Sequence, residues 1–148
     1  MAFHFSLQSL LHYRKSVERR EELLLQAANS KVAQLRFQID RLDEFLKRCH
    51  ALRREELQCG TYGAELQFEL LSESALHTSR QGLLRELSQL ETLRDQRRSA
   101  FRKAKAEREA VETIRDHQSS LYKEQQDRRA QRELDDLFLM RREFLRRG

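Results

Sequence analysis

From Leu25 the apolar residues fall in alternating three- and four-residue steps, Leu25, Ala28, Val32, Leu35, Ile39, Leu42, Leu46 and Cys49, the spacing of a heptad seam on one face of a helix. Upstream, Phe3, Leu7 and Leu10, then Val17 and Leu24, follow another register. Consecutive four-residue steps across LLLQAA read as a stutter between the two. The pattern predicts one helix from about residue 4 to about residue 57.

The segment LQCGTYGAEL, residues 57–66, interrupts it with two of the chain's four glycines. Gly60 and Gly63 are expected to supply the backbone angles that end the first helix. No strand pattern precedes them and no regular Gly-x-Gly-x-x-Gly or Gly-Lys-Ser/Thr follows, so a phosphate-binding loop is excluded. Beyond the glycines, AELQFELLSESALH predicts a short helix whose Leu66, Phe68, Leu70, Leu71, Ala75 and Leu76 wrap too widely for a simple two-helix seam. Turn and short helix together take up about residues 58–80, and Gly82 marks a weak point. A second long helix, about 83–145, runs through Leu83, Leu87, Leu90, Phe101, Ala104, Val111, Ile114, Leu121, Leu134 and Leu137. The expected fold is all-α, a long antiparallel two-helix coiled-coil hairpin forming a single domain over residues 1–148, with a short helical segment near the turn.

Composition narrows the class. Charged residues are 36 % and aromatics 7 %, with no Trp and no Pro, too little large apolar surface for a layered core and too much for a disordered tail. No apolar run approaches the roughly 20 residues that span a bilayer. MAFHFSLQSLLHYRK lacks a basic region leading into an apolar one, so the chain is expected to stay in the cytosol. Cys49 and Cys59 make no metal-ligand spacing and read as free thiols. His50 and His77 read as ordinary helix-surface or cap residues. Catalysis needs a nucleophile, a base and an orienting group around a pocket, which a two-helix hairpin does not enclose. No enzyme, cofactor or small-molecule ligand is expected.

The net charge of +5 brings an acidic surface or nucleic acid into consideration. RDQRRSAFRKAKAER, residues 94–108, sets Arg94, Arg97, Arg98, Lys105 and Arg108 on one broad face, together with Phe101 and Ala104. Either this face is a phosphate track, or it pairs across the helices with the region around Asp40, Asp43 and Glu44 in a hairpin folded near residue 70. Pairing is the favoured reading. At the C-terminus, Leu137, Phe138, Leu139, Met140, Phe144 and Leu145 lie among the basic pairs Arg128 and Arg129, Arg141 and Arg142, and Arg146 and Arg147. This run is either an interaction tip or packing for Phe3, Phe5, Leu7 and Leu10, and one face can pack while the other binds.

The opening Phe3-x-Phe5-x-Leu7-x-x-Leu10-Leu11-x-x-Arg14, ahead of a long charged heptad helix, resembles the flagellar FliJ proteins. The resemblance implies an antiparallel two-helix coiled coil like the central stalk of a rotary ATPase, in a non-enzymatic, cytoplasmic component of the flagellar type III export apparatus peripheral to the inner membrane. Its implied partners are the hexameric export ATPase (FliI-like), the export gate (FlhA-like) and flagellar export chaperones. For the gate the resemblance points to Gln38, Leu42, Phe45, Phe68 and Ala75, with Phe45, off the strict seam, the strongest of them. For the ATPase ring the expectation is the end where the termini meet, with Arg14, Arg141, Arg142, Arg146 and Arg147 facing acidic loops. The alternatives are the stalk of a virulence-type injectisome and a basic coiled coil on nucleic acid. A long seam with arginines in it also allows pairing with a second chain.

Overall fold

The computed structural model describes residues 2–148. Two helices carry most of them, α1 (Gln8–Cys59) and α2 (Gly63–Arg147), and no strand occurs among the described residues. The all-α class expected from the periodicity therefore holds. The chain forms two compact units, one of Arg19–Arg102 and one of the chain up to Glu18 together with Lys103–Gly148.

Within Arg19–Arg102 the two helices lie antiparallel around a tight turn. Gly60 takes a positive φ of 90°, the left-handed conformation that closes a helix C-terminus and suits glycine. Thr61 Oγ1 then donates to the Glu56 carbonyl at 3.0 Å, satisfying one of the acceptors the helix end leaves open. The Tyr62 carbonyl accepts from Glu65 N at 3.1 Å and Leu66 N at 3.2 Å, which starts α2 at once. The reading of Gly60 as a helix terminator is thus correct, and the chain folds at residues 60–62 rather than near 70.

The α1 seam is the predicted one. Ala28, Val32, Leu35, Ile39 and Leu46 are buried, and Leu25, Leu42 and Cys49 half-buried. Facing it, Leu66, Glu69, Glu73, Leu76, Arg80, Leu83, Leu87, Leu90, Arg94 and Arg97 are the half-buried positions of α2 that keep the same three-four spacing. This seam crosses Gly82 without a break, because α2 is one helix from Gly63 onward. Among the described residues there is no separate short helix. A lone glycine in a helix costs only about 1 kcal/mol, and the seam residues on either side, Arg80 and Leu83, hold the helix together through it. The apparent width of the apolar surface after the turn has a simpler cause: Phe68, Leu70 and Leu71 are 51–71 % exposed and belong to the outside.

Ion pairs fix the register of this unit. Arg53 meets Glu69 and Glu73, Asp43 meets Arg80, and Arg36 meets Glu91, so partners climb α2 as they descend α1.

In the other unit, Leu11 is fully buried in a cluster with Phe5 and Val111, with Phe3 packed against it. Phe3 also approaches the Tyr122 ring, centroids 5.8 Å apart. Gln8 N donates to the Phe5 carbonyl at 3.2 Å as α1 begins. The upstream register expected from Leu7, Leu10 and Leu24 is corrected here, since those side chains are 36–38 % exposed. Val17, also expected, is half-buried, but the covered positions that lead into Leu25 in three-four steps with no stutter are Leu11, Arg14, Glu18 and Glu21. Charged residues at seam positions hid this register from an apolar count. Nor does the C-terminal run pack on the N-terminal aromatics: past Gln126 every residue of α2 is exposed.

Two glycines give predictions of opposite sign. A methyl group at Gly82 or Gly60 would meet no other side chain or packed segment within 4 Å, but Gly60 has φ +90°. Gly82→Ala should stabilise by about 0.5–1 kcal/mol, and Gly60→Ala should destabilise by about 1–2 kcal/mol; thermal unfolding followed by circular dichroism checks both. By the same measurement Ile39→Ala should cost about 2–3 kcal/mol, in the lower part of the usual range because a two-helix seam has no further layer behind it, whereas Arg36→Ala should cost under about 1 kcal/mol.

Candidate functional site: an aromatic groove and a bare helix end

Next to the turn, in Arg19–Arg102, α1 and α2 leave a groove of about 260 Å³ between Phe45, Cys49 and Leu52 on one side and Phe68, Ser72 and Leu76 on the other, with Arg53, Glu56, Glu69 and Glu73 completing it. Its origin is local. After Cys49 the seam positions are occupied by Arg53 on α1 and by Glu69 and Glu73 on α2, so ion pairs replace apolar filling there. The large apolar side chains stand on the flanks instead, Phe45, Leu52 and Phe68 being 50 %, 58 % and 71 % exposed. Ser72 turns its hydroxyl to its own helix, donating to the Phe68 carbonyl at 3.0 Å.

The floor is strongly polarised. Arg53 Nη1 lies 2.5 Å from Glu73 Oε2, and Arg53 Nε 3.6 Å from Glu69 Oε2. The hydrogen bond from Arg53 holds the Glu73 carboxyl below its ordinary range, and the same bond raises Arg53. Glu56 moves the other way, raised by hydrogen bonding to Glu69 and by the repulsion between the two. Two turns further along α2 from Glu73, Arg80 donates to both Asp43 oxygens, at 2.5 and 3.2 Å, and this lowers the Asp43 carboxyl. An apolar rim over a charge-paired floor suits a partner that inserts apolar side chains and finds its polar contacts around them.

Of the residues expected at an export gate, Phe45 and Phe68 meet in this groove. Leu42 is half-buried in the seam and Ala75 is exposed. Gln38 lies apart, in a shallow depression with Lys31, Gln34, Leu35, Glu86 and Leu90. Leu52, which also lines the groove, was not among the expected residues.

The expected ring-binding arginines do not form one group. Arg14 is half-buried and bound to Glu107, which precedes Arg141 by 34 residues, about 50 Å along a helix at about 1.5 Å per residue. Arg141, Arg142 and Arg146 are exposed, and Arg147 reaches Glu143 at 3.7 Å. Around them Leu134, Leu137, Phe138, Leu139, Met140, Phe144 and Leu145 are 53–80 % exposed, a bare apolar surface studded with cations.

Residues 94–108 do not face Asp40, Asp43 and Glu44 as expected, because the chain folds earlier. Asp43 is taken by Arg80, and Glu44 lies 3.9 Å from Arg48. Arg94 pairs with Asp95, while Arg108 donates to both Glu18 oxygens, at 2.7 and 3.1 Å, and also holds Glu112. The hydrogen bond from Arg108 lowers Glu18, and Arg108 itself is raised. Pairing across the helices, the favoured reading of this segment, occurs at its Arg108 end with a different acid.

The fold and these surfaces define a heptad-seamed, two-helix protein that presents an aromatic groove and an uncovered helix end to its surroundings. The chain belongs to the flagellar FliJ protein family, which matches residues 3–148. No curated protein and no solved structure matches it. Membership assigns it to the flagellar protein-export apparatus, of which the family is a non-catalytic component. No helix of the described residues is long and apolar enough to cross a membrane.

The lowered carboxyls contribute to the acid sensitivity of the fold. Glu18, Asp43 and Glu73 lie below their ordinary values of 4.5, 3.8 and 4.5, so they stabilise the folded chain above those values, and the contribution is lost as pH falls through the lowered ones. Glu56, raised above 4.5, has the opposite sign: its contribution is present when protonated and lost as pH rises through the raised value. The thermal midpoint should therefore fall as pH drops below about 4, and Asp43→Asn should flatten that fall while lowering the midpoint at neutral pH.

Proposed function

We propose that this protein is the stalk-like coiled coil of the flagellar export machinery, cytoplasmic and peripheral to the membrane gate, binding the hexameric export ATPase through the C-terminal part of α2 and the gate through the groove near the turn. Assistance to export chaperones belongs to the same reading. The observation that carries it is the end of α2, where every residue past Gln126 is exposed and seven large apolar side chains stand among arginines. A monomer seldom leaves so large an apolar patch uncovered without a partner for it. The arginines would steer the encounter with acidic loops and set its salt dependence, and the apolar residues would supply affinity.

Two measurements test the two contacts separately. The hydrolysis rate of the export ATPase, titrated with the full chain, should rise saturably, and a chain ending at Arg132 should lose most of that stimulation. Because the removed residues are all exposed, helicity per residue should be unchanged, and undiminished stimulation would remove the ring from this end. For the gate, Phe45→Ala with Phe68→Ala should weaken binding about tenfold or more, as loss of two aromatic anchors does. Unaltered binding in a folded variant would show that the groove faces something else.

A further inference from the structure

Two histidines read from the sequence as ordinary surface residues come together with a carboxylate beside the turn. Glu73 and His77 stand one helical turn apart on α2, and His50 reaches across from α1. Nε2 of His50 lies 3.1 Å from Glu73 Oε1, and Nε2 of His77 lies 3.5 Å from the same oxygen. All three ligand atoms are within 4.8 Å of one another.

A four-coordinate zinc ion with bonds of about 2.0–2.1 Å sets its ligand atoms roughly 3.3–3.4 Å apart. Two of the three edges of such a site are already close to that length, and the third, between the two imidazoles and no longer than 4.8 Å, closes by rotation of side chains that are half-exposed. The imidazoles are 46 % and 52 % exposed while the Glu73 side chain is only 14 % exposed, which leaves an entry route from solvent and an anchored carboxylate. Its second oxygen is held by Arg53, the kind of outer partner that orients a ligating carboxylate. That guanidinium also places a positive charge behind the site. An ion that gains little from imidazole, such as magnesium or calcium, does not overcome it, whereas one that binds nitrogen strongly does.

The geometry points to a zinc-class transition-metal site formed by His50, Glu73 and His77, with solvent as fourth ligand, joining α1 to α2 next to the turn. The inference is independent of the export role, since it rests on three side chains within one compact unit. Metal bound here stabilises the hairpin end below the aromatic groove, because the ligands sit together only when the helices are paired.

The test uses the full chain, freed of metal with a chelator and titrated with zinc chloride near neutral pH by calorimetry and by thermal unfolding. The expected result is one zinc per chain, a thermal midpoint that climbs with zinc but not with magnesium, and tetrahedral visible bands when cobalt(II) replaces zinc. Combined His50→Ala and His77→Ala should weaken zinc binding at least tenfold and remove the thermal shift, with helicity kept. His12→Ala with His117→Ala should change neither. Should the double variant fail to fold, His77→Gln alone, at a half-exposed position, should give the same loss of affinity. Zinc binding of equal strength in the His50 and His77 variants, or an equal midpoint shift with magnesium, or no zinc shift at all in the intact chain, would leave only imidazole–carboxylate hydrogen bonding here and overturn the site.

Discussion

A helix with one apolar stripe is stable in water only when a second helix covers that stripe, and every other feature of this protein follows from how the cover is provided. On α1 the covered positions from Leu25 to Cys49 are apolar, and burying Val32, Leu35, Ile39 and Leu46 is worth about 1.5–3 kcal/mol per side chain. On α2 the covered positions alternate between leucines and charged residues, Glu69, Glu73, Arg80 and Arg94 among them. Partly exposed ion pairs contribute about 0–1 kcal/mol each, so the charges do not supply much of the stability. Their effect is on register. Slipping the helices by one heptad would move Arg80 from Asp43 to Arg36 or His50, leaving a cation beside a cation or an imidazole and a carboxylate without its partner. Apolar contacts drive the pairing, and the charges select one alignment of it.

The same division of labour decides what could be read from the sequence. The α1 seam was legible residue by residue because all of its members between Leu25 and Cys49 are apolar. On α2 an apolar count passes over Arg80, Arg94 and Arg108 and sees gaps where the helix has none, so Gly82 looked like a break and the segment after the turn like a separate helix. Upstream, Arg14, Glu18 and Glu21 occupy covered positions, and counting Leu10 and Leu24 in their place produced a stutter that does not exist. The end of α1 was legible, since Gly60 sits at the one position among the described residues that takes a positive φ. Once the fold point moves from about residue 70 to residues 60–62, all cross-helix pairings shift with it, which is why Arg108 meets Glu18 and not the acids around Asp43.

The candidate surfaces divide along the same line. Phe45 and Phe68 were identifiable as aromatics off the seam, and the structure places both in one groove. That Leu52 joins them, and that His50 meets Glu73 and His77, depends on which residues face one another across the turn. No spacing in the sequence carries that information: His50 and Glu73 are brought together by the hairpin, and only Glu73 and His77 share a helix. Arg14 shows the converse. It carries the charge of the terminal arginines, yet its bond to Glu107 commits it to holding helices together.

The end of α2 obeys a different balance from the rest of the chain. Past Gln126 none of the other described residues covers it, and its helix is supported by pairs along its own surface, Arg128 with Glu124 at 3.8 Å, Gln131 with Asp135 at 3.0 Å and Arg147 with Glu143 at 3.7 Å. Such pairs give only about 0.2–0.5 kcal/mol each, enough to bias a helix and too little to make it rigid, so this segment should be the first part of α2 to fray. Leaving Phe138, Met140 and Phe144 67–80 % exposed forfeits burial that the seam obtains elsewhere. A partner that covers them therefore stabilises the helix as it binds, and part of the binding energy is spent in ordering the last turns. On the proposed reading, affinity at this end is tied to helix stability as well as to contact. Changes that strengthen the exposed helix without touching the apolar face should tighten the association, because they reduce the ordering that the partner has to supply.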